Sequence, residues 1–173
     1  MKHINWKKLV ADVTSAAISV GATTVLSSCA TQAPTATLTR SVQVAANPDA
    51  VWTAIGPYCA IKDWLPPIGT CTQDGASPPT RTLVTKDGSA TFVETQTARN
   101  DARHTYSYAF VSSPLPVTHY TSTIEVKPNG DGASTVTWRS TYVPDAGKEA
   151  AASDALTGVY DAGLASIQAQ FAK

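Results

Sequence analysis

A chain of 173 residues with 43% hydrophobic, 15% charged and 8% aromatic residues has the composition of one globular domain with a real core. Its 13 basic and 13 acidic residues balance to zero net charge, which argues against an electrostatic nucleic-acid binder with a basic stripe. No apolar run reaches the roughly 20 residues that cross a bilayer as a helix.

Lys2, Lys7 and Lys8 make a basic start, and Val13 to Leu26 is modestly apolar, the order of a targeting segment. Leu26-Ser27-Ser28-Cys29 resembles a bacterial lipobox, in which a cysteine after small residues is lipidated and becomes the new N-terminus. The expected organisation is a signal peptide over 1–28, lipidation at Cys29, a flexible tether over 29–37 and a folded domain over 38–173. It implies a membrane partner through the lipid anchor and a cell-envelope location facing the periplasm or the extracellular space. Ala30 stands where an Asp would commonly retain a lipoprotein at the inner membrane, so the outer membrane is favoured if the host has one.

In the folded part, Val42 and Val44 share one face of a strand running from Leu38 to Ala45. Asn47 is a good N-cap, Pro48 suits the first helical position and Asp49 suits the positive helix end. Val51, Trp52 and Ile55 make the apolar face of that short helix, which Gly56-Pro57 breaks. A second short turn carries Tyr58 to Trp64 and stops at Pro66-Pro67. Strands then follow over 68–73, 80–86, 89–98, 103–111, 118–127 and 134–143. Asp87-Gly88 is a two-residue hairpin signal, Arg99 to Ala102 turns the chain, and Pro128 to Gly132 makes another hairpin loop. From Lys148 to Ala172 the period changes: Ala152, Leu156, Val159, Tyr160, Leu164, Ile167 and Phe171 mark one face of a long amphipathic helix. Gly158 and Gly163 in that helix permit close approach of a sheet or leave room for a ligand.

The predicted class is α+β, with a long antiparallel sheet that must wrap the last helix to bury its apolar face. This order, with "NPDAVWTAIGPYCAIKDWLPPIGTC" after the first strand, resembles the START/polyketide-cyclase-like (SRPBCC) helix-grip superfamily. The resemblance rests on Pro48 to Trp52, the Asp63-Trp64-Leu65-Pro66 corner and Glu94 after the Asp87-Gly88 turn. "SSPLPVTHY" at Ser112 to Tyr120, "STVTWRSTY" at Ser134 to Tyr142 and Gly163-Leu164 extend it from Leu38 to Phe171. It implies a curved seven-stranded antiparallel sheet around a long C-terminal helix, two short helices after the first strand, and a large, mostly apolar cavity between sheet and helix. It further implies binding or transport of a small hydrophobic or amphipathic ligand, lipid- or polyketide-like, with no cofactor. The alternative is a cyclase/dehydratase- or hydrolase-type enzyme using Glu94.

Glu94 is the strongest polar candidate, because its family counterparts can face the cavity and a buried carboxylate needs a cation or donors. Arg139 is an available partner, but strand alternation sets it opposite Trp138 and Tyr142 whereas the motif match can turn it inward. Tyr106, Tyr108, Tyr120 and Trp138 are expected in the cavity wall, although core packing alone accounts for any one of them. Trp64 and Leu65 at the Pro-rich corner, and Leu115 in the opposite loop, are expected at the mouth. For Cys59 and Cys71 the resemblance and the expected export put a disulfide first, two buried thiols second and cysteine catalysis last. A metal site is not expected, because Asp63 lies nearby but no His does.

Overall fold

The computed structural model describes residues 34–172. The expected signal peptide, Cys29 and the first part of the tether lie outside the described residues. The elements run β1 (Ala36–Val44), α1 (Pro48–Ile55), α2 (Ile61–Trp64), β2 (Ile68–Gln73), β3 (Thr80–Thr85) and β4 (Thr91–Asn100). A 3-10 turn (Asp101–Arg103), β5 (Thr105–Ser112), β6 (Val117–Pro128), β7 (Ser134–Pro144) and α3 (Glu149–Gln170) complete the chain.

All seven strands form one antiparallel sheet in the order β1-β7-β6-β5-β4-β3-β2. Strands β2 to β7 are neighbours in sequence and in space, and β1 returns beside β7. The first two strands are therefore opposite edges, and the segment holding α1 and α2 must cross the width of the sheet. The curved sheet and α3 together give the α+β helix-grip architecture.

Alternation decides which side chains enter the core. On β7, Val136, Trp138, Ser140 and Tyr142 are buried while Arg139 and Thr141 are exposed. On β5, Tyr106 and Tyr108 are buried, and on β6, Tyr120, Ser122, Ile124 and Val126 are. Helix α3 covers this face with Ala152, Leu156, Tyr160, Leu164 and Ile167, at the spacing of three and four seen in the sequence. Gly163 serves close approach: a Cβ there would lie 2.9 Å from Trp138 Cζ3 and 3.1 Å from both Leu65 Cδ1 and Trp64 Cζ3.

Local signals act as read. The Asn47 side chain accepts from the Ala50 N–H at 2.9 Å, and Pro48 opens α1. Several boundaries shift by a residue or two, and strand pairing explains two of them. Strand β1 begins at Ala36 inside the expected tether, because Ala36 pairs with Tyr142 and Thr37 with Thr141. Strand β4 runs through the expected turn to Asn100, because Arg99 and Asn100 still pair with Tyr106 and Thr105. The reversal falls on Asp101 to His104, where the Asn100 side chain accepts from Arg103 N–H at 3.0 Å and His104 takes a positive φ of 48°.

Candidate functional site

A cavity of about 30 Å³ lies between the concave face of the sheet and α3. Leu83, Phe92 and Glu94 from β3 and β4, with Tyr108 and Phe110 from β5, form its floor. Tyr120 and Trp138 from β6 and β7 face Leu156, Val159 and Tyr160 of α3. Leu65, Pro67 and Leu115 close it at the rim. That is far below the roughly 300–1,000 Å³ of a small-molecule pocket, so the large cavity implied by the resemblance is not present. Aromatic rings occupy the space: Trp138 stacks on Tyr160 at 4.0 Å and Phe110 on Tyr120 at 3.9 Å between centroids.

One polar region of the site is a buried ion pair. Arg81 Nε donates to Glu94 Oε2 at 2.6 Å, with both residues under 5% exposed. The hairpin dictates this pairing, since Arg81 stands directly across from Glu94 in the β3–β4 register. Arg81 Nη1 also donates to the Tyr58 carbonyl, and the guanidinium lies 4.0 Å above the Tyr58 ring and 5.0 Å from the Tyr108 ring. Its Nη2 has no conventional acceptor and is left among these ring faces. Burial pulls the guanidinium down, but Glu94 and the phenols outweigh it and hold Arg81 protonated. Burial pushes the Glu94 carboxyl up, and Arg81 opposes that shift without cancelling it. Glu94 is therefore the member of the pair that can take up and release a proton. Its Oε1 accepts no hydrogen bond from any described residue, and Glu94 lines the cavity.

The second polar region is neutral. Ser122 Oγ donates to the Arg139 carbonyl at 3.0 Å, which commits its one proton. Tyr160 OH, 2.8 Å away, must then donate to Ser122, and Tyr120 OH, 2.7 Å from Tyr160, donates in turn to Tyr160. Trp138 Nε1–H is shared between Ser122 Oγ at 2.9 Å and the Tyr108 oxygen at 3.1 Å. The proton of Tyr108 has no acceptor among the described residues. Burial pushes the Tyr160 hydroxyl up to about 12 and raises Tyr108 and Tyr120 well above the usual phenol range.

The structure thus brings Glu94, Tyr108, Tyr120, Trp138, Leu65 and Leu115 to one cavity. Three expected site residues are elsewhere. Arg139 points out of the sheet, half exposed and 3.4 Å from Glu125, because β7 pairs with β1 without a bulge and alternation holds. Tyr106 is buried but sits nearer α1, its ring 5.9 Å from Trp52 and 5.7 Å from Tyr58 rather than on the cavity. Trp64 is buried behind the rim, edge-on to Trp138 at 5.3 Å. Arg81, Ser122 and Tyr160 escaped the sequence reading as site residues. A signal for Arg81 was present: it lies as far before Asp87 as Glu94 lies after Gly88, so the hairpin sets the two opposite.

Cys59 and Cys71 are joined in a disulfide with Cα atoms 5.5 Å apart. The closed loop contains Ile61, Leu65, Pro67 and Ile68, all in the cavity wall, so the bridge fastens that wall to β2. On the loop-entropy model a loop of this length contributes about 3 kcal/mol. Among the described residues, no three His, Cys, Asp or Glu side chains meet in a way that could hold a metal ion.

The sequence matches the family model for polyketide cyclase / dehydrase and lipid transport over residues 35–172. No curated protein matches it. Among solved structures it resembles the protein XoxI from Bacillus cereus, with 33% identity and a TM-score of 0.74 over 79% of this chain and 95% of that one. A Thermobifida fusca protein is 30% identical, with a TM-score of 0.70 over 78% of this chain and 92% of that one. The Zhui aromatase/cyclase from a Streptomyces species, at 16% identity and a TM-score of 0.65 over 79% and 93% of the two chains, shares the fold. With its helix-grip architecture and a family match across nearly all described residues, the chain belongs to the polyketide cyclase/dehydrase and lipid transport family.

Proposed function

We propose that the chain binds or carries a small, largely apolar molecule between the sheet and α3, in a binding role rather than a catalytic one. The observation that supports this reading is an apolar-lined cavity with a few buried polar groups, Glu94, Tyr108 and Tyr120, in its wall. A whole ligand requires more than the present 30 Å³, so entry displaces rim side chains. Phe110, Pro67 and Val159 are partly exposed lining residues and the natural ones to move. The test is native mass spectrometry of protein purified from its host, together with titration of an apolar fluorescent probe. Phe110→Ala, which removes a cavity-lining ring, should tighten probe binding by on the order of tenfold. No copurified molecule, and no probe binding by either protein, would overturn the reading.

The proposal includes a lipid anchor on Cys29 that holds the domain at the cell envelope. It rests on the lipobox-like Leu26-Ser27-Ser28-Cys29 and the basic start. A fatty-acid analogue should label the wild-type protein and not Cys29→Ala; an unacylated mature N-terminus elsewhere removes this part.

A second reading, a cyclase/dehydratase- or hydrolase-type enzyme, is favoured by the unengaged Oε1 and raised pKa of Glu94. It needs a substrate atom within hydrogen-bond reach of that oxygen. The fold is shared with norcoclaurine synthase from Thalictrum flavum, solved in complex with dopamine and hydroxybenzaldehyde, at 17% identity and a TM-score of 0.65 over 90% and 96% of the two chains. A ligand complex with the reactive atom out of reach of Glu94 removes the enzyme reading.

A further inference from the structure

The walls of the cavity leave two hydrogen-bonding capacities unused. Glu94 is 4% exposed, its Oε2 is held by Arg81, and its Oε1 has no donor among the described residues. Tyr108 is 2% exposed, its oxygen accepts from Trp138, and its proton has no acceptor among the described residues. Both residues line the same cavity. A buried polar group without a partner is costly, so these two capacities select what enters.

Four kinds of head group can be compared. A ketone would accept from Tyr108 and leave Glu94 Oε1 unmet. An ammonium would donate to Glu94 but leave the Tyr108 proton unmet, and it would add a second cation to a carboxylate that Arg81 already neutralises. A carboxylate would meet the Glu94 charge at close range, with Arg81 engaged on the other carboxylate oxygen. A neutral hydroxyl both donates and accepts through one oxygen. It is also compact, which suits a narrow space of about 30 Å³.

We infer that Glu94 Oε1 and Tyr108 OH form a hydroxyl subsite, which selects apolar molecules carrying a neutral alcohol or phenol over ketones, amines and acids. This rests on the cavity-binding reading above and narrows it to a ligand class. The hydroxyl donates to Oε1 and accepts from Tyr108, while its apolar body lies towards Phe110, Leu115 and Val159 at the rim.

The experiment compares para-cresol with para-xylene, which replaces the hydroxyl by a methyl of similar size, and adds benzylammonium and benzoate at neutral pH. Binding is followed by heteronuclear NMR of the full folded protein. The wild type should bind para-cresol about tenfold or more tightly than para-xylene, because a site built to hydrogen-bond a hydroxyl rejects the analogue lacking it. Benzylammonium and benzoate should both bind more weakly than para-cresol. Tyr108→Phe should erase most of the cresol-to-xylene ratio, whereas general damage to the cavity would lower both affinities together. Glu94→Gln is the less direct variant because it also removes the ion pair of Arg81. Equal affinities for para-cresol and para-xylene would overturn the hydroxyl subsite and leave the apolar cavity standing. Tightest binding of benzylammonium would overturn it in favour of a cation site. Binding of none of the four would overturn the subsite and the cavity reading together.

Discussion

Arg81 and Glu94 on β3 and β4 are buried as an acid–base pair, whereas Tyr120, Ser122, Trp138 and Tyr160 across the same concave face are buried as neutral groups. The ionic region is held by a short charge-assisted contact and a cation over an aromatic ring, yet it leaves Arg81 Nη2 and Glu94 Oε1 without partners. The neutral region passes its protons along a chain that ends on the Arg139 carbonyl, leaving the Tyr108 proton over at the cavity and the neighbouring Trp64 Nε1 and Ser140 Oγ outside the chain. An ion pair is strong where its geometry is met and expensive where it is not, while hydroxyls rotate to satisfy one another. Of these unmet groups, Glu94 Oε1 and the Tyr108 proton are the ones carried by residues that line the cavity, where the charged region meets the end of the hydroxyl chain.

Four measurements would break or sharpen this contrast. The largest effect is expected from Arg81→Leu, which strands Glu94 as a buried, unpaired carboxylate and should lower unfolding stability by about 3–5 kcal/mol. Urea denaturation measures it, and Arg81→Leu combined with Glu94→Leu should regain much of the loss. A double variant no better than the single would mean the pair is not held by mutual charge.

Next comes Gly163→Ala, which drives a methyl into Trp138, Leu65 and Trp64 and should cost about 1–3 kcal/mol by the same assay. A neutral or stabilising result would show that the wall against the hydroxyl chain is looser than these contacts require. Ser122→Ala removes the acceptor shared by Tyr160 and Trp138 and should cost about 1–2 kcal/mol, less than breaking the ion pair. A cost equal to that of Arg81→Leu would erase the distinction between the two regions.

The smallest expected effect is on the alkaline side. Burial raises the Tyr160 hydroxyl to about 12, above the ordinary phenol value near 10. The folded state then keeps a proton that the unfolded chain releases, so this contribution is complete below about pH 10 and is lost as pH rises towards about 12. Phenolate absorbance should rise for Tyr108, Tyr120 and Tyr160 only together with loss of near-ultraviolet circular dichroism. Ionisation of these phenols in a still-folded protein would break the picture of a closed neutral chain.

The sequence by itself determined the element order, the period of each element and the faces that alternation sends inward. Val136, Trp138 and Tyr142 on β7, and the α3 stripe from Ala152 to Phe171, were readable because helices and strands repeat locally. For Arg139 the sequence left alternation, which points it outward, against the motif match, which turns it inward, and the uninterrupted β7 register decides for outward. The Asp87-Gly88 turn held the information that sets Arg81 opposite Glu94, although that step requires counting across a hairpin rather than along a strand. Only the tertiary structure decided that Tyr106 lies under Trp52 and Tyr58, that Tyr160 reaches Ser122 and Tyr120, and that the cavity narrows to about 30 Å³. Those facts depend on how α1 and α3 sit against strands far away in sequence. Ring stacking and proton sharing are set by contacts between elements, and no local period encodes them.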